Sequence, residues 1–299
     1  VALADVNGDG RLDVVTANSS ARTVSVLRNL GSGTLASKAD YTTGPLPMAV
    51  AAGDLNGDGR VDLVTANSGA ATVSVLLNRG NGAFAPRADV VTGGAPNSVA
   101  LADFDGNGKL DVATANPRAR PGRGVTVLLG RGDGTFRPRR DYAVSHTASR
   151  VVAGDLNGDG RPDLALSEAG NLAVMLNRGD GRFDAPLWFG YGDALAAADF
   201  NLDGRLDLAG SWVNDRNGAW SVTAHLNAPG FCDVQSVVGK TVAAAKQLLQ
   251  RAGCGLGSVR HARSARVRRG RVIRQSPRFP GGVLAAGGKV AVVVSVGRR

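Results

Sequence analysis

Glutamate and histidine are nearly missing from this 299-residue chain, which has one Glu, Glu168, and three His, His146, His225 and His261. None of these sits in a recognisable nucleophile or metal motif. General acid–base catalysis needs positioned, tunable groups of this kind, so the sequence reads as that of a non-enzyme. No apolar run approaches 18 residues, which excludes a membrane-spanning helix. Cysteine is limited to Cys232 and Cys254, and aromatics to 5% of the chain. What is present instead is glycine, 42 residues of it, with abundant Val, Ala and Thr. Such a composition favours many short strands joined by tight turns.

The formal net charge of +10 conceals a division. Positions 231–299 hold fourteen Lys/Arg against one acid, Asp233, whereas positions 1–230 hold 21 basic and 24 acidic residues. A basic total often points to nucleic acid, but here the basicity belongs to the tail alone. Two domains are expected, 1–230 and 231–299.

Five nonamers align without gaps in the first part: Asp5–Asp13 (DVNGDGRLD), Asp54–Asp62 (DLNGDGRVD), Asp103–Asp111 (DFDGNGKLD), Asp155–Asp163 (DLNGDGRPD) and Asp199–Asp207 (DFNLDGRLD). Their starts are 49, 49, 52 and 44 residues apart, a true internal repeat. Each unit reads strand, loop, strand, turn, strand, turn, strand. In the second unit the strands are Ala49–Gly53, Val61–Ala66, Thr72–Leu77 and a fourth opened by Phe84, with Phe136 and Phe183 opening the fourth strands of later units. The first strands (VALAD, AVAAGD, SVALAD, RVVAGD, ALAAAD) are nearly all Ala, Val and Gly. Small side chains suit strands crowded round a central axis, so the expected fold is a β-propeller of four-stranded antiparallel blades. A linear β-solenoid is the alternative, but its coils are usually far shorter than fifty residues.

The nonamer pattern D-x-[N/D]-x-[D/N]-G-x-x-D puts oxygen donors at positions one, three and five, a turn-permitting Gly at six, a carbonyl at seven and a carboxylate at nine. An all-oxygen cage of this size suits Ca²⁺ better than Zn²⁺ or Mg²⁺. The candidate ligands are Asp5, Asn7, Asp9, Arg11 (carbonyl) and Asp13, then Asp54, Asn56, Asp58, Arg60 (carbonyl) and Asp62. The third loop offers Asp103, Asp105, Asn107, Lys109 (carbonyl) and Asp111. The fourth offers Asp155, Asn157, Asp159, Arg161 (carbonyl) and Asp163; the fifth Asp199, Asn201, Asp203, Arg205 (carbonyl) and Asp207. In the third loop Asp105 and Asn107 exchange the usual Asn and Asp, so every copy keeps three carboxylates. Fifteen of the 25 acidic residues lie in these loops, an arrangement that is self-repulsive without a cation. Turn formation alone explains the Gly and Asn but not Asp at both ends of all copies. An EF-hand is excluded, because position twelve is Thr16, Thr65, Thr114, Leu166 or Gly210 and strands flank the loops. Leu202 stands where the other copies have Gly at position four, so the fifth site is expected to be weaker.

The stretches GDLNGDGRVDLVTAN and TVSVLLNRGNGAF resemble the FG-GAP/VCBS repeats of integrin α-chain propellers and many bacterial secreted proteins, over residues 1–228. The resemblance implies a calcium-stabilised extracellular propeller without catalysis, its ligands falling on the loop Asp and Asn positions. Two gaps are visible against that family. The fifth unit meets Pro229 and Gly230 where a fourth strand should begin, and the chain opens at Val1 within a repeat, with no signal peptide visible. An upstream segment is expected to supply the outer strand.

The tail reads strand, helix and three strands. Thr241 can cap a helix with the apolar face Val242, Ala245, Leu248, Leu249 and Ala252, stopped by Gly253. Gly257–Ser264, Arg271–Gln275 and Lys289–Val296 are strand candidates. Val238-Gly239, Ala244, Leu248, Ala252-Gly253, GRVIRQSP at 270–277 and VVVS at 292–295 resemble a PASTA domain, the extracellular module of bacterial cell-wall kinases and penicillin-binding proteins. The resemblance implies peptidoglycan as a partner, although many copies of that module act as spacers. Cys232 and Cys254 bracket the helix, and a bridge between them is expected, stabilising the module by roughly 3 kcal/mol; two buried free thiols are the alternative. The arginines Arg266, Arg268, Arg269, Arg271 and Arg274, within a larger cluster, form a candidate anion-binding surface. No aromatics interleave to stack bases, which argues against nucleic acid. Cell-wall polyanions and a merely solvated basic face both remain open. The Arg-Gly-Asp triplets Arg131–Asp133 and Arg178–Asp180 fall in turns that already demand Gly and small polar residues.

The expected function is a secreted or cell-surface binding or adhesion protein. Its propeller would recognise a protein or glycan ligand and its tail would hold the cell wall. The alternative is an accessory fragment of a secreted, polysaccharide-acting enzyme whose catalytic domain lies upstream.

Overall fold

A computed structural model describes residues 1–299 apart from 118, 120–123, 145–147, 169, 193, 201, 203, 205, 215–218, 226–231, 234–239, 252–254, 263–267, 270, 277–282, 285–288 and 296–299. It divides into two compact units, one comprising Val1–Ala198 and Leu208–His225, the other Asp199–Asp207 and Leu226–Arg299.

The first unit is a series of antiparallel blades of propeller type. Blade 1 orders Ala2–Ala4, Asp13–Asn18, Thr23–Leu27 and Ala39–Thr42 side by side. Blade 2 does the same with Pro47–Gly53, Asp62–Asn67, Thr72–Leu76 and Ala88–Val91. Blade 3 uses Ser98–Ala102, Asp111–Ala115, Val125–Leu128 and Arg140–Tyr142, and blade 4 Ala148–Gly154, Asp163–Glu168, Asn171–Met175 and Leu187–Tyr191. Blade 5 has three strands among the described residues, Ala194–Ala198, Asp207–Asn214 and Ala219–His225.

Phe84 does not open the fourth strand of blade 2. It ends a small separate hairpin, Asn78–Gly80 against Ala83–Phe84, and the fourth strand begins four residues later at Ala88. Phe136 and Phe183 likewise make single bridges, to Gly130 and Asn177. The reason is packing between blades. Phe84 is buried against Val6 and meets Tyr41 of blade 1 edge-on, ring centroids 5.2 Å apart. Phe183 meets Phe104 of blade 3 at 5.3 Å and Tyr142 at 5.8 Å. Each hairpin is thus a hook over the blade before it.

The apolar cores accordingly lie between blades. One cluster joins Val6, Val15 and Val26 of blade 1 to Val50, Leu63, Leu76 and Phe84 of blade 2. A second joins Leu55, Val64 and Val75 to Val99, Val112 and Leu128, and a third joins Phe104, Val125 and Leu129 to Val151, Leu164 and Met175. One such seam is close enough for the leucine side chain facing a glycine to have to shift if that glycine carried a Cβ. A Cβ on Gly53 of blade 2 would lie 2.5 Å from Cδ1 of Leu110 of blade 3.

Within each of the first three blades a polar chain ties the strands together. In blade 2, Thr65 Oγ1 donates to Asn67 Oδ1 (2.9 Å), Asn67 Nδ2 donates to Ser74 Oγ (2.8 Å), and Ser74 Oγ donates to Asp89 Oδ1 (2.6 Å). Blade 3 repeats it with Thr114, Asn116, Thr126 and Asp141. In blade 4 the corresponding positions are Leu166, Glu168, Ala173 and Trp188, and Glu168, the sole glutamate, is fully buried.

In the second unit, helix Val242–Arg251 starts where Thr241 Oγ1 accepts the Ala244 amide (3.2 Å), as its capping sequence requires. Lys289–Ser295 is the central strand of a three-stranded sheet, parallel to Gly255–Ala262 and antiparallel to Val272–Ser276. A further short strand, Val283–Leu284, pairs with Cys232–Asp233 and is not legible in the hydropathy pattern. The expected Cys232–Cys254 bridge cannot be placed, since Cys254 lies outside the described residues. No described helix is long and apolar enough to cross a membrane.

Candidate metal centres

Each nonamer connects the first and second strands of its blade. In the first loop Gly8 and Gly10 hold φ of 75° and 81°, a left-handed conformation that glycine adopts without penalty. These turns wrap the backbone amides round the first aspartate. Asp5 accepts from Gly8 N (2.7 Å), Asp9 N (3.1 Å) and Gly10 N (2.7 Å). Those bonds, led by the one from Gly10, hold its carboxyl below the usual range despite partial desolvation. Asp54 and Asp155 are cradled the same way. In the fifth loop Asp199 keeps the equivalent bond from Gly204 N (2.7 Å). Leu202, in the place of glycine, is forced to φ 61° and is 89% exposed. The site candidates Asn201, Asp203 and Arg205 lie outside the described residues.

The ninth-position aspartates have a second role. Asp13, Asp62, Asp111, Asp163 and Asp207 are all fully buried. Asp62 Oδ2 accepts from Leu55 N (2.9 Å) and its Oδ1 from Asn78 N (2.7 Å). Asp111 accepts from Phe104 N (2.8 Å) and Gly130 N (2.6 Å), and Asp163 from Leu156 N (3.2 Å) and Asn177 N (2.7 Å). These carboxylates clamp the loop to the hairpin that hooks the preceding blade. Desolvation outweighs the hydrogen bonds, raising Asp62 and pushing Asp111 to about 6 and Asp163 to about 7. A buried carboxylate of this kind is eased by a cation as much as by a proton.

The clamp also explains position two, whose pattern (Val6, Leu55, Phe104, Leu156, Phe200) went unread in the sequence. Val6, Leu55 and Phe104 are buried under the next blade, 2%, 2% and 0% exposed. Asn78 Nδ2 donates to the Val6 carbonyl (2.8 Å), Gly134 N to that of Leu55 (3.1 Å) and Asn177 Nδ2 to that of Phe104 (2.9 Å).

At positions three to seven the loops diverge. In loop 1, Asp9 accepts from Asn7 Nδ2 (2.9 Å) and from Arg11 N (2.9 Å) and Nη2 (2.7 Å). These contacts, the Asn7 bond foremost, hold its carboxyl low. Loops 2 and 4 follow: Asn56 Nδ2 donates to Asp58 (3.1 Å) and Asn157 Nδ2 to Asp159 (3.2 Å), with Arg60 at 3.7 Å and Arg161 at 4.0 Å. The seventh side chain therefore acts as a tethered counter-ion.

Loop 3 is built otherwise. Lys109 turns away, donating from Nζ to the Arg131 carbonyl (2.5 Å). Asp105 turns inward, its side chain only 9% exposed, and one carboxylate oxygen of each of Asp103, Asp105 and Asp111 lies within 4.8 Å of the others. Arg137 Nη1 donates to Asp105 Oδ2 (3.1 Å), but Asp105 Oδ1 is buried with no hydrogen-bond partner. A buried, unsatisfied carboxylate oxygen is costly, and a hard cation coordinated by three carboxylates would relieve it. The residues present fit calcium.

Of the tail arginines, Arg268, Arg269 and Arg271 are exposed, Arg274 lies on strand Val272–Ser276, and Arg266 lies outside the described residues.

The FG-GAP-like repeat family matches residues 5–65, 54–114, 115–166 and 155–210, and the PASTA domain family matches residues 233–296. Comparison with curated proteins finds no match. Among solved structures, a lectin from Agrocybe aegerita, described for specific recognition of non-reducing terminal N-acetylglucosamine, is 23% identical with a TM-score of 0.50. The likeness covers 76% of this chain and 65% of the lectin. The V. cholerae biofilm matrix protein Bap1 is 19% identical over 75% of this chain and 36% of its own, with a TM-score of 0.43. This chain thus spans less than two thirds of either neighbour, and at such identity the lectin likeness bears on the fold alone. With the repeat match running through residues 5–210, this chain belongs to the FG-GAP-like repeat family and carries a C-terminal PASTA domain.

Proposed function

We propose that this protein is a secreted or cell-surface, calcium-binding, non-catalytic binding protein. Its blades form a rigid recognition platform, and its PASTA domain contacts peptidoglycan or an anionic cell-wall polymer. The observation that carries the calcium reading is the loop-3 constellation, three converging carboxylates with Asp105 Oδ1 buried and unpartnered. Bound calcium would neutralise these groups and cross-link the two ends of each loop. Asp103, Asp105, Asn107, Asp111 and the Lys109 carbonyl would hold it in loop 3, with the corresponding residues in the other loops. Because Asp62, Asp111 and Asp163 also grip the hairpins hooked over their neighbouring blades, the ion's role is structural. The cell-wall reading rests on the PASTA match and on the exposed Arg268, Arg269 and Arg271.

The test is co-sedimentation of the full chain with purified peptidoglycan over a range of salt, beside the variant R268A/R269A/R271A. Pelleting that weakens in the variant but persists in high salt is the expected result. Pelleting abolished by modest salt and by the variant reduces the interaction to charge. A chain that stays in the supernatant throughout removes the cell-wall assignment.

A further inference from the structure

Blade 3 departs from blades 1, 2 and 4 at three places, and two of the departures meet at one carboxylate. At position three of its loop Asp105 stands for Asn7, Asn56 and Asn157. At position seven Lys109 stands for Arg11, Arg60 and Arg161. The third departure lies on the hairpin. The amide that closes each hairpin belongs to Ala36, Ala85 and Asp184 in blades 1, 2 and 4, and to Arg137 in blade 3. Asp184 is bonded by Arg178 Nε of its own hairpin (2.7 Å). The change at position seven explains why another cation is needed. A guanidinium can bond in two directions at once, so Arg11 reaches the Asn29 carbonyl through Nε (3.0 Å) and Asp9 through Nη2 (2.7 Å). Lys109 has a single nitrogen, and it is spent on the Arg131 carbonyl. Its charge is thus held on the hairpin side, and Arg137 brings a guanidinium to the loop from outside, at Asp105 rather than at position five.

We propose that Arg137 is the positioning residue of the third loop, holding Asp105 by one carboxylate oxygen so that the other is kept for a divalent cation. This rests on the calcium reading above and assigns a residue that the nonamer pattern does not contain. The contact is one-sided. Arg137 Nη1 donates to Asp105 Oδ2 (3.1 Å), while Oδ1 is buried without a partner and the side chain comes together with Asp103 and Asp111. A charge-assisted bond of this kind fixes the direction of the carboxylate, and a ligand fixed before the ion arrives loses less freedom on binding it. The guanidinium also eases the repulsion among three close carboxylates without occupying the space between them. Outer partners of metal ligands commonly govern affinity by about 10–100-fold. A nearby positive charge by itself repels calcium, so positioning and mere charge balance predict opposite signs when Arg137 is removed.

Calorimetric titration of the full, chelator-stripped chain with calcium alone tests the sign. The Arg137 side chain is 50% exposed, so R137A should fold with unchanged circular dichroism. Its tightest binding step should weaken by about 10–100-fold. R137K, which keeps a charged donor of similar reach, should restore most of that loss. In the D105N background R137A should weaken binding no further, because Arg137 acts through Asp105 and a merely structural role would not depend on it. Binding that is unchanged or tighter in R137A overturns the proposal and makes Arg137 a competing counter-ion. A loss of equal size with and without Asp105 overturns it too, since Arg137 would then support the fold rather than the ligand. A wild-type chain that takes up no calcium removes the calcium reading and this proposal together. Wild-type binding with R137A unaffected removes the role of Arg137 alone.

Discussion

Loops 2 and 3 start from the same carboxylate count and reach different arrangements. In loop 2, Asn56 donates an amide hydrogen to Asp58 and Arg60 stands beside it, so the charge is balanced from within. In loop 3 the exchange of Asn and Asp leaves position three with no amide to donate, and Asp105 turns inward towards Asp103 and Asp111. Two atoms exchanged between neighbouring side chains thus decide whether a loop quiets its own charge or gathers it. The lesson is that equal formal charge does not make equal metal sites; the donors already bonded to each carboxylate set the difference.

The broadest way to break this comparison is removal of the ion. In excess EGTA the thermal midpoint should fall markedly and recover with added calcium. A site held at a thousandfold excess over its Kd contributes about 4 kcal/mol of folding stability, so an unchanged midpoint would falsify the calcium reading for every loop at once. Next comes the clamp common to both loops. Asp111→Ala strips the acceptors from the Phe104 and Gly130 amides; two buried donors left unsatisfied should cost about 2–6 kcal/mol in denaturant unfolding. A loss no larger than that of an exposed Asp→Ala change would mean the ninth position serves the ion alone.

The comparison itself is sharpened by Asp105→Asn against Asp58→Asn, read by calorimetric titration with calcium. D105N should remove the tightest binding step and D58N a weaker one. Equal effects would dissolve the distinction between the loops. Arg60→Ala should strengthen binding at loop 2 by a few-fold at most, since an exposed ion pair of this length is worth about 0.2–1 kcal/mol; weaker binding would show that Arg60 supports the site.

Acidity tests the burial of the ninth-position carboxyls themselves. Asp111 and Asp163 hold their protons up to about 6 and 7 in the folded chain, against 3.8 ordinarily. The folded state therefore binds more protons than the unfolded state between those values. In EGTA, stability should rise as pH is lowered from about 8 towards 5, and the trend should flatten when calcium takes the place of the proton. Stability that falls over the same window would contradict the burial cost assigned to these two groups.

Much of this was legible in the chain. Five nonamers at near-even spacing announced repeating blades, because a turn that wraps an ion demands Asp, Asn and Gly at set positions whatever surrounds it. The Thr241 cap was legible for the same reason, a side chain bonding its own backbone three residues on. Phe84 was misplaced because a phenylalanine after a Gly-rich turn looks alike whether it opens a strand or hooks a neighbour. The difference lies in Tyr41 and Val6, more than forty residues away. Position two escaped notice since a single apolar residue within an acidic loop has no periodicity to betray it.

By itself the sequence determined the unit, its oxygen donors and the boundary in charge between repeat and tail, all of which arise from contacts close along the chain. Tertiary structure alone decided that the cores lie between blades, that the ninth aspartate is a clamp as well as a donor, and that Asp105 rather than Asp58 turns inward. Each of those depends on which backbone amides and apolar side chains a neighbouring blade brings within reach, and that is a property of the packed chain.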